Sequence, residues 1–121
     1  MSETSASRAV VCQAGGQRFA LALEDVREVC TDVPVVPMPG VAAPVEGVAN
    51  VRGTVVTVVR AADLLGVTPT RSGPSPWLVV LRFREGRVAL GVEDIEDLAP
   101  VGIGLSRLAV DAHLGPLFGS R

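Results

Sequence analysis

The sequence predicts a mainly β fold, made of many short strands with a few helical turns. Three observations predict it. Short apolar runs rich in Val and Leu are closed off by Gly, Pro and Asn, the punctuation of strands and turns. One stretch alternates strictly, Phe19, Leu21 and Leu23 against Arg18, Ala20 and Ala22, which is the period of a half-buried strand. The regular strand–helix–strand repeat that builds a parallel sheet is missing.

Residues 1–8 are small and polar and read as a disordered tail. Ala9-Val10-Val11-Cys12 then runs into Gly15-Gly16, a turn that takes positive φ, and pairs with the alternating stretch as a hairpin. Here the period changes. Val26, Val29 and Cys30 are three and four apart, with Glu24, Asp25, Arg27 and Glu28 between them, a spacing that predicts one or two helical turns. Pro34, Pro37, Pro39 and Pro44 with Gly40 break any regular element and predict a crossing between substructures.

Val45 to Val51 and Thr54 to Val59 predict two strands joined around Asn50-Val51-Arg52-Gly53. Val55, Val56, Val58 and Val59 are too apolar for one wet face, so this strand is expected to pack on both sides or curl in a small barrel. Ala61 to Leu65 reads as a short helix stopped by Gly66, and Thr68 to Pro76 as a loop. Trp77 to Phe83, the turn Arg84-Glu85-Gly86-Arg87 and Val88 to Val92 make a second hairpin. Periodicity weakens after Glu93. Leu105, Leu108, Leu114 and Leu117 fit a helix face, while Gly102, Gly104, Gly115 and Pro116 argue against a long helix.

At 121 residues and 48% hydrophobic content, the chain suits one domain with an aliphatic core. No apolar run is long enough to span a bilayer, and Met1 to Arg8 lacks the layout of a secretory leader, so the cytoplasm is the expected location. The net charge is −2 and every basic residue is Arg. Without a basic stripe to displace phosphate counterions, direct nucleic-acid binding is not expected. Cys12 and Cys30 are too few and too far apart for a zinc site and read as buried reduced thiols. His113 is the only histidine and cannot by itself support a catalytic triad or a metal site. Glu93, Asp94, Glu96 and Asp97 lack calcium-loop spacing and read as a solvated face. Gly102-Ile103-Gly104 opens like a dinucleotide fingerprint, but Arg107 stands where its third glycine belongs. No catalytic residue, metal or cofactor is expected. What remains is a binding or scaffolding module.

The stretch Gly47-Val48-Ala49-Asn50-Val51-Arg52-Gly53 resembles the signature turn of CheW-like domains. The rest agrees in order: Phe19 to Leu23 followed by Val26-Arg27-Glu28-Val29 resembles the family's second strand and its Val-x-Glu helix. Pro34 to Pro44 resembles the Pro-rich stretch before the signature, Leu64-Leu65-Gly66 the segment after it, and Gly86 to Glu93 a later hairpin. The resemblance covers Val10 to about Leu98. It implies a fold of two small SH3-like β-barrel subdomains on a shared core, and a role as an adaptor coupling chemoreceptors to a histidine kinase in cytoplasmic arrays.

Carried over residue by residue, the resemblance assigns partner contacts to Arg52, Val26 and Glu28, with Asn50 and Gly53 beside them as turn formers. Val48 and Val56 are candidate groove walls that also fit a plain core. Arg60-Ala61-Ala62 departs from the family's Asp-Leu-Arg, and Arg60 reverses a charge at a candidate contact. The expected domain runs over 9–98, with 99–121 an atypical short C-terminal segment that leaves one barrel without its usual last strands. The implied partners are the cytoplasmic tip of a chemoreceptor and a CheA-type kinase regulatory domain or another CheW-like protein, with no nucleic acid and no membrane insertion. Short CheW-like adaptors of gliding-motility systems, of the FrzB type, are the matching relatives. The leading expectation is receptor binding with weak or absent kinase coupling; the alternative is a structural or ring-capping array subunit.

Overall fold

Alternating apolar runs interrupted by glycine leave little choice but strands, and the chain is mainly β, with two sheets and few helices. A computed structural model describes residues 8–70, 72–100, 106–107 and 110–118; the tail over 1–7 and the Gly102-Ile103-Gly104 fragment lie outside them. The first sheet has the order β8-β1-β2-β9, built from β1 (Arg8–Ala14), β2 (Gln17–Ala22), β8 (Asp94–Pro100) and β9 (Ser106–Arg107). The second has the order β3-β6-β7-β5-β4, built from β3 (Val26–Thr31), β4 (Val45–Val51), β5 (Thr54–Arg60), β6 (Trp77–Leu81) and β7 (Val88–Val92). Two helices accompany them, α1 (Ala61–Leu65) and α2 (Val110–Phe118).

Three hairpins follow the turn chemistry. Gly15 and Gly16, both at positive φ, let Ala14 face Gln17 across the β1–β2 turn. Arg52 and Gly53 do the same between β4 and β5, where Val51 faces Thr54. Between β6 and β7 the chain passes through Arg84, Glu85 and Gly86, all left-handed. Gly66 ends α1 at φ 76°, the usual glycine stop.

The helical turns expected around Val26 to Cys30 are absent. A single 3-10 turn over Leu23–Asp25 leads directly into β3, which pairs with β6 from Val26↔Leu81 to Thr31↔Trp77. Along β3, Val26, Glu28 and Cys30 turn inward while Arg27, Val29 and Thr31 are exposed. The three- and four-residue spacing was a coincidence of side chains on opposite faces of a strand, and the pairing with β6 decides the conformation. The Pro-rich crossing also differs from expectation. It links β3 to β4, the two opposite edges of one sheet, and pins itself by reciprocal hydrogen bonds between Val36 and Val48 (2.8 and 2.9 Å).

The acidic cluster is likewise more than a solvated face. β8 adds to the edge of β1, and Arg18 grips Glu96 with two N–H donors at 2.8 Å while Gln13 donates to it at 2.9 Å. Glu93 accepts hydrogen bonds from Gly15 N–H (3.0 Å), Thr70 N–H (2.9 Å) and Thr70 O–H (2.5 Å). It thereby ties the first hairpin to the 67–76 loop. Past Leu98, β8 continues to Pro100, β9 lies parallel to β2 at Phe19 and Ala20, and α2 buries Val110 and Leu114. The His113 side chain lies outside the described residues.

One core joins the two sheets. Val10, Cys12, Phe19 and Leu21 of the first sheet pack with Val79, Leu81, Val88 and Leu90 of the second, closed by α1 and α2. A second core, Ala49, Val51, Val56, Val58, Leu78, Val80 and Ala89, lies on the other face of the second sheet beneath Cys30, Val33 and Val35. On β5, Val58 belongs to one core and its neighbour Val59 to the other. That is the two-sided burial its composition predicts, although Val55 stays 61% exposed near the strand's start.

Candidate functional site

The β4–β5 turn is where sequence and geometry converge. Only two residues, Arg52 and Gly53, connect paired strands, and both take positive φ (52° and 86°). Such a turn matches the twist of the flanking strands and favours Asn or Gly at its first position. Asn50 holds it by accepting the Gly53 N–H on its side-chain oxygen at 2.9 Å. Arg52 therefore occupies a backbone conformation that a side chain with a Cβ disfavours by roughly 1–2 kcal/mol.

Its side chain is 81% exposed, and its Nε–H donates to Glu28 Oε2 at 2.9 Å. Glu28 reaches across from β3, where inward alternation places it beside Cys30. The Cys30 thiol donates to the same oxygen at 3.3 Å. The Arg52 donor first, and the thiol second, hold the Glu28 carboxyl below its usual range. Partial burial and the Glu28 contact push the Cys30 thiol up. Cys12 is inert for a simpler reason: burial first, then the charge of Glu96, pushes its thiol up to about 12. Both cysteines are free of disulfides; Cys12 is buried, and Cys30, against expectation, is only half-buried.

The pair stands at the mouth of a cavity of about 320 Å³ at the end of the second core. Val51, Val56 and Val80, all buried, form its apolar floor. Arg27, Arg52, Arg87, Glu28 and Glu85 form a charged rim, with Gly86 between the last two turn residues. Of the residues singled out from sequence, Arg52, Glu28 and Val56 thus meet at one place, while Asn50 and Gly53 build the turn that presents them. Val26 is 7% exposed and packs in the first core. Val48 faces away from the cavity side of β4, opposite Thr57, and carries the bridge to Val36.

Arg60 lies six residues from Thr54 along β5, roughly 20 Å away at strand rise. It contacts Glu46 (3.6 Å), Asp63 (3.8 Å) and the Gly73 carbonyl (3.3 Å). It belongs to a different surface. Sequence reasoning missed Arg27, Glu85, Gly86 and Arg87 as rim residues. The only signal for them was the Gly86 turn, because the contact between that turn and β3 is long-range. Among the described residues, no group of three or more His, Cys, Asp or Glu is placed to hold a metal. No helix among them is long and apolar enough to cross a membrane.

The second sheet thus presents an exposed arginine at positive φ over a cavity floored by three valines. A family model for the CheW-like domain matches residues 8–103, and the chain belongs to that family. It is 31% identical over 87 residues to the probable chemotaxis protein CheW of Rhizobium etli, covering 72% of this chain and 56% of that protein. It is 29% identical over 92 residues to the chemotaxis protein CheW of Rhizobium meliloti, covering 76% and 59%. The chain thus spans under three-fifths of the length of these relatives. Its fold resembles the scaffolding protein TtCheW of Thermoanaerobacter tengcongensis, with a TM-score of 0.70 at 21% identity over 78% of this chain and 65% of that one.

Proposed function

We propose that this chain is a non-enzymatic adaptor of a bacterial chemosensory array, acting in the cytoplasm and holding the cytoplasmic tip of a chemoreceptor at the Arg52 face. One observation carries the reading: Arg52 keeps a disfavoured left-handed backbone while its guanidinium stays exposed at a cavity mouth. Strain of this kind persists where a side chain is needed at that spot. The names of the two CheW relatives, both chemotaxis proteins, support the pathway. The adaptor passes the signal weakly or not at all to a CheA-type kinase. Support for this is the outer edge of the first sheet, where, among the described residues, β9 pairs with β2 at Phe19 and Ala20. A FrzB-type role in gliding motility is the matching specialisation.

Calorimetric titration of the chain with a chemoreceptor tip fragment tests the reading. Arg52→Glu is expected to lose tenfold or more in affinity, the size of an interface hot spot. Pairing it with Glu28→Arg restores the ion pair in reverse. If Arg52 only ties down its turn, the double variant recovers binding; if Arg52 touches the receptor, it does not. Absence of wild-type binding overturns the reading. The same titration against a kinase regulatory domain is expected to give weak heat or none, and tight binding overturns that part.

A further inference from the structure

The cavity rim holds more positive charge than its own acids neutralise. Three arginines, Arg27, Arg52 and Arg87, face two glutamates, Glu28 and Glu85, in a chain whose net charge is −2. Glu28 is already committed to Arg52. Neither Arg27 nor Arg87 makes a direct ion pair among the described residues, although the charge of Arg27 adds a small share to the lowering of the Glu28 carboxyl. Arg27 is nevertheless held in place: its Nη1–H donates to the Glu85 carbonyl at 3.3 Å, and the guanidinium lies over Gly86, where any Cβ would collide with it. Arg87 is anchored through its backbone, donating to Arg84 O (3.1 Å) and accepting from Thr57 N–H (2.9 Å). The turn that sets both is left-handed at Arg84, Glu85 and Gly86, the second strained turn on the same rim. The Arg27 guanidinium, held on the Glu85 carbonyl, and the Arg87 side chain, set by its anchored backbone, line one cavity over Val51, Val56 and Val80. Two guanidinium groups side by side make an anion subsite through charge-assisted hydrogen bonds.

We infer that Arg27 and Arg87 form a carboxylate-reading subsite beside Arg52, which takes a Glu or Asp side chain of the protein docked there. This rests on the reading of the Arg52 face as the partner-binding face. A carboxylate fits better than a phosphate. The rim carries one net positive charge, which a monoanion matches, and Glu85 and Glu28 oppose a dianion.

Two titrations of the chain test it. In the first, a chemoreceptor tip fragment is titrated at low and high salt. Arg27→Gln and Arg87→Gln, both at exposed positions that leave the fold intact, are each expected to weaken binding at least about fivefold, the loss of one charged hydrogen bond. Each is also expected to flatten the salt dependence. In the second, N-acetyl-glutamate N-methylamide and inorganic phosphate are titrated separately while the amide signals of Gly86 and Arg87 are followed by NMR. The glutamate derivative is expected to shift them in wild type and not in the Arg27→Gln/Arg87→Gln double variant. Wild-type affinity and salt slope in both single variants overturn the subsite, as does a response to phosphate with none to the carboxylate. If the wild-type chain binds no receptor tip, the proposed function fails, and the glutamate titration alone decides the subsite, with shifts supporting it and their absence overturning it.

Discussion

Arg52 and Glu28 divide their duties in a way that pH exposes. Arg52 spends one donor on Glu28 and leaves the rest of its planar fork in solvent, while Glu28 takes both the guanidinium and the Cys30 thiol on one oxygen. These contacts favour the ionised carboxylate, so its titration in the folded chain lies below that of a free glutamate, about 4.3. For a carboxyl depressed by folding, the stabilisation is fully present above the unfolded value and is lost as pH falls through the folded one. The Arg52–Glu28 pair is therefore expected to survive mild acid and to open only below the ordinary glutamate range. Carboxyl carbon shifts of Glu28 followed through an acid titration measure this, and Arg52→Ala is expected to return the midpoint towards the free value. An unchanged midpoint in that variant would assign the shift to something other than the pair.

Elements carry their information unevenly, and the reasons are local. β1, β2, β4, β5, β6 and β7 were legible because Val-rich runs end at residues that need positive φ, so pattern and turn chemistry agree. β3 was not, because its apolar residues fall at helical spacing and only pairing with β6 shows which face each occupies. β8 was hidden by its charges, whose partners Gln13 and Arg18 lie 83 and 78 residues away. The site divides similarly: the Asn50-to-Gly53 turn is local and readable, while Arg27 and Arg87 reach one cavity only through the fold.

Contacts of the same long-range kind hold Ser75, at the end of the loop before β6, to β4 across Gly91 of β7. Glu46, with its side chain 6% exposed, accepts from Ser75 N–H (2.8 Å) and Ser75 O–H (2.7 Å). Gly91 leaves room for this: a Cβ there would overlap Ser75 Oγ and stand 2.9 Å from Glu46 Oε1. Gly91→Ala is expected to cost about 1–3 kcal/mol, as overpacking does, in a chemical denaturation curve. A wild-type midpoint would mean that the loop yields freely.

Two sheets usually invite the idea of two folding units, but here the larger core belongs to neither. Val10, Cys12, Phe19 and Leu21 contribute from the first sheet, and Val79, Leu81, Val88 and Leu90 from the second. Glu93 adds polar ties, with its N–H on Gln13 O at 2.8 Å and its carboxylate on Gly15 and Thr70. Removing either sheet would expose the face that the other buries in this shared core, and a small sheet with an uncovered apolar face has little independent stability. The chain is therefore expected to unfold in one transition. Each sheet holds its own reporter. Trp77, the only tryptophan, begins β6 and packs against the shared core. Cys12 is fully buried in β1 and reacts with a thiol reagent only after the first sheet opens. In a Cys30→Ser background, Trp77 fluorescence and Cys12 labelling across a urea series are expected to give the same midpoint. Leu90→Ala, which empties a fully buried position on β7, is expected to cost about 2–5 kcal/mol. It should lower both midpoints together, although only Trp77 shares a sheet with it. Midpoints that separate, or a Leu90→Ala effect confined to Trp77, would mean that the sheets fold apart and the shared core contributes little.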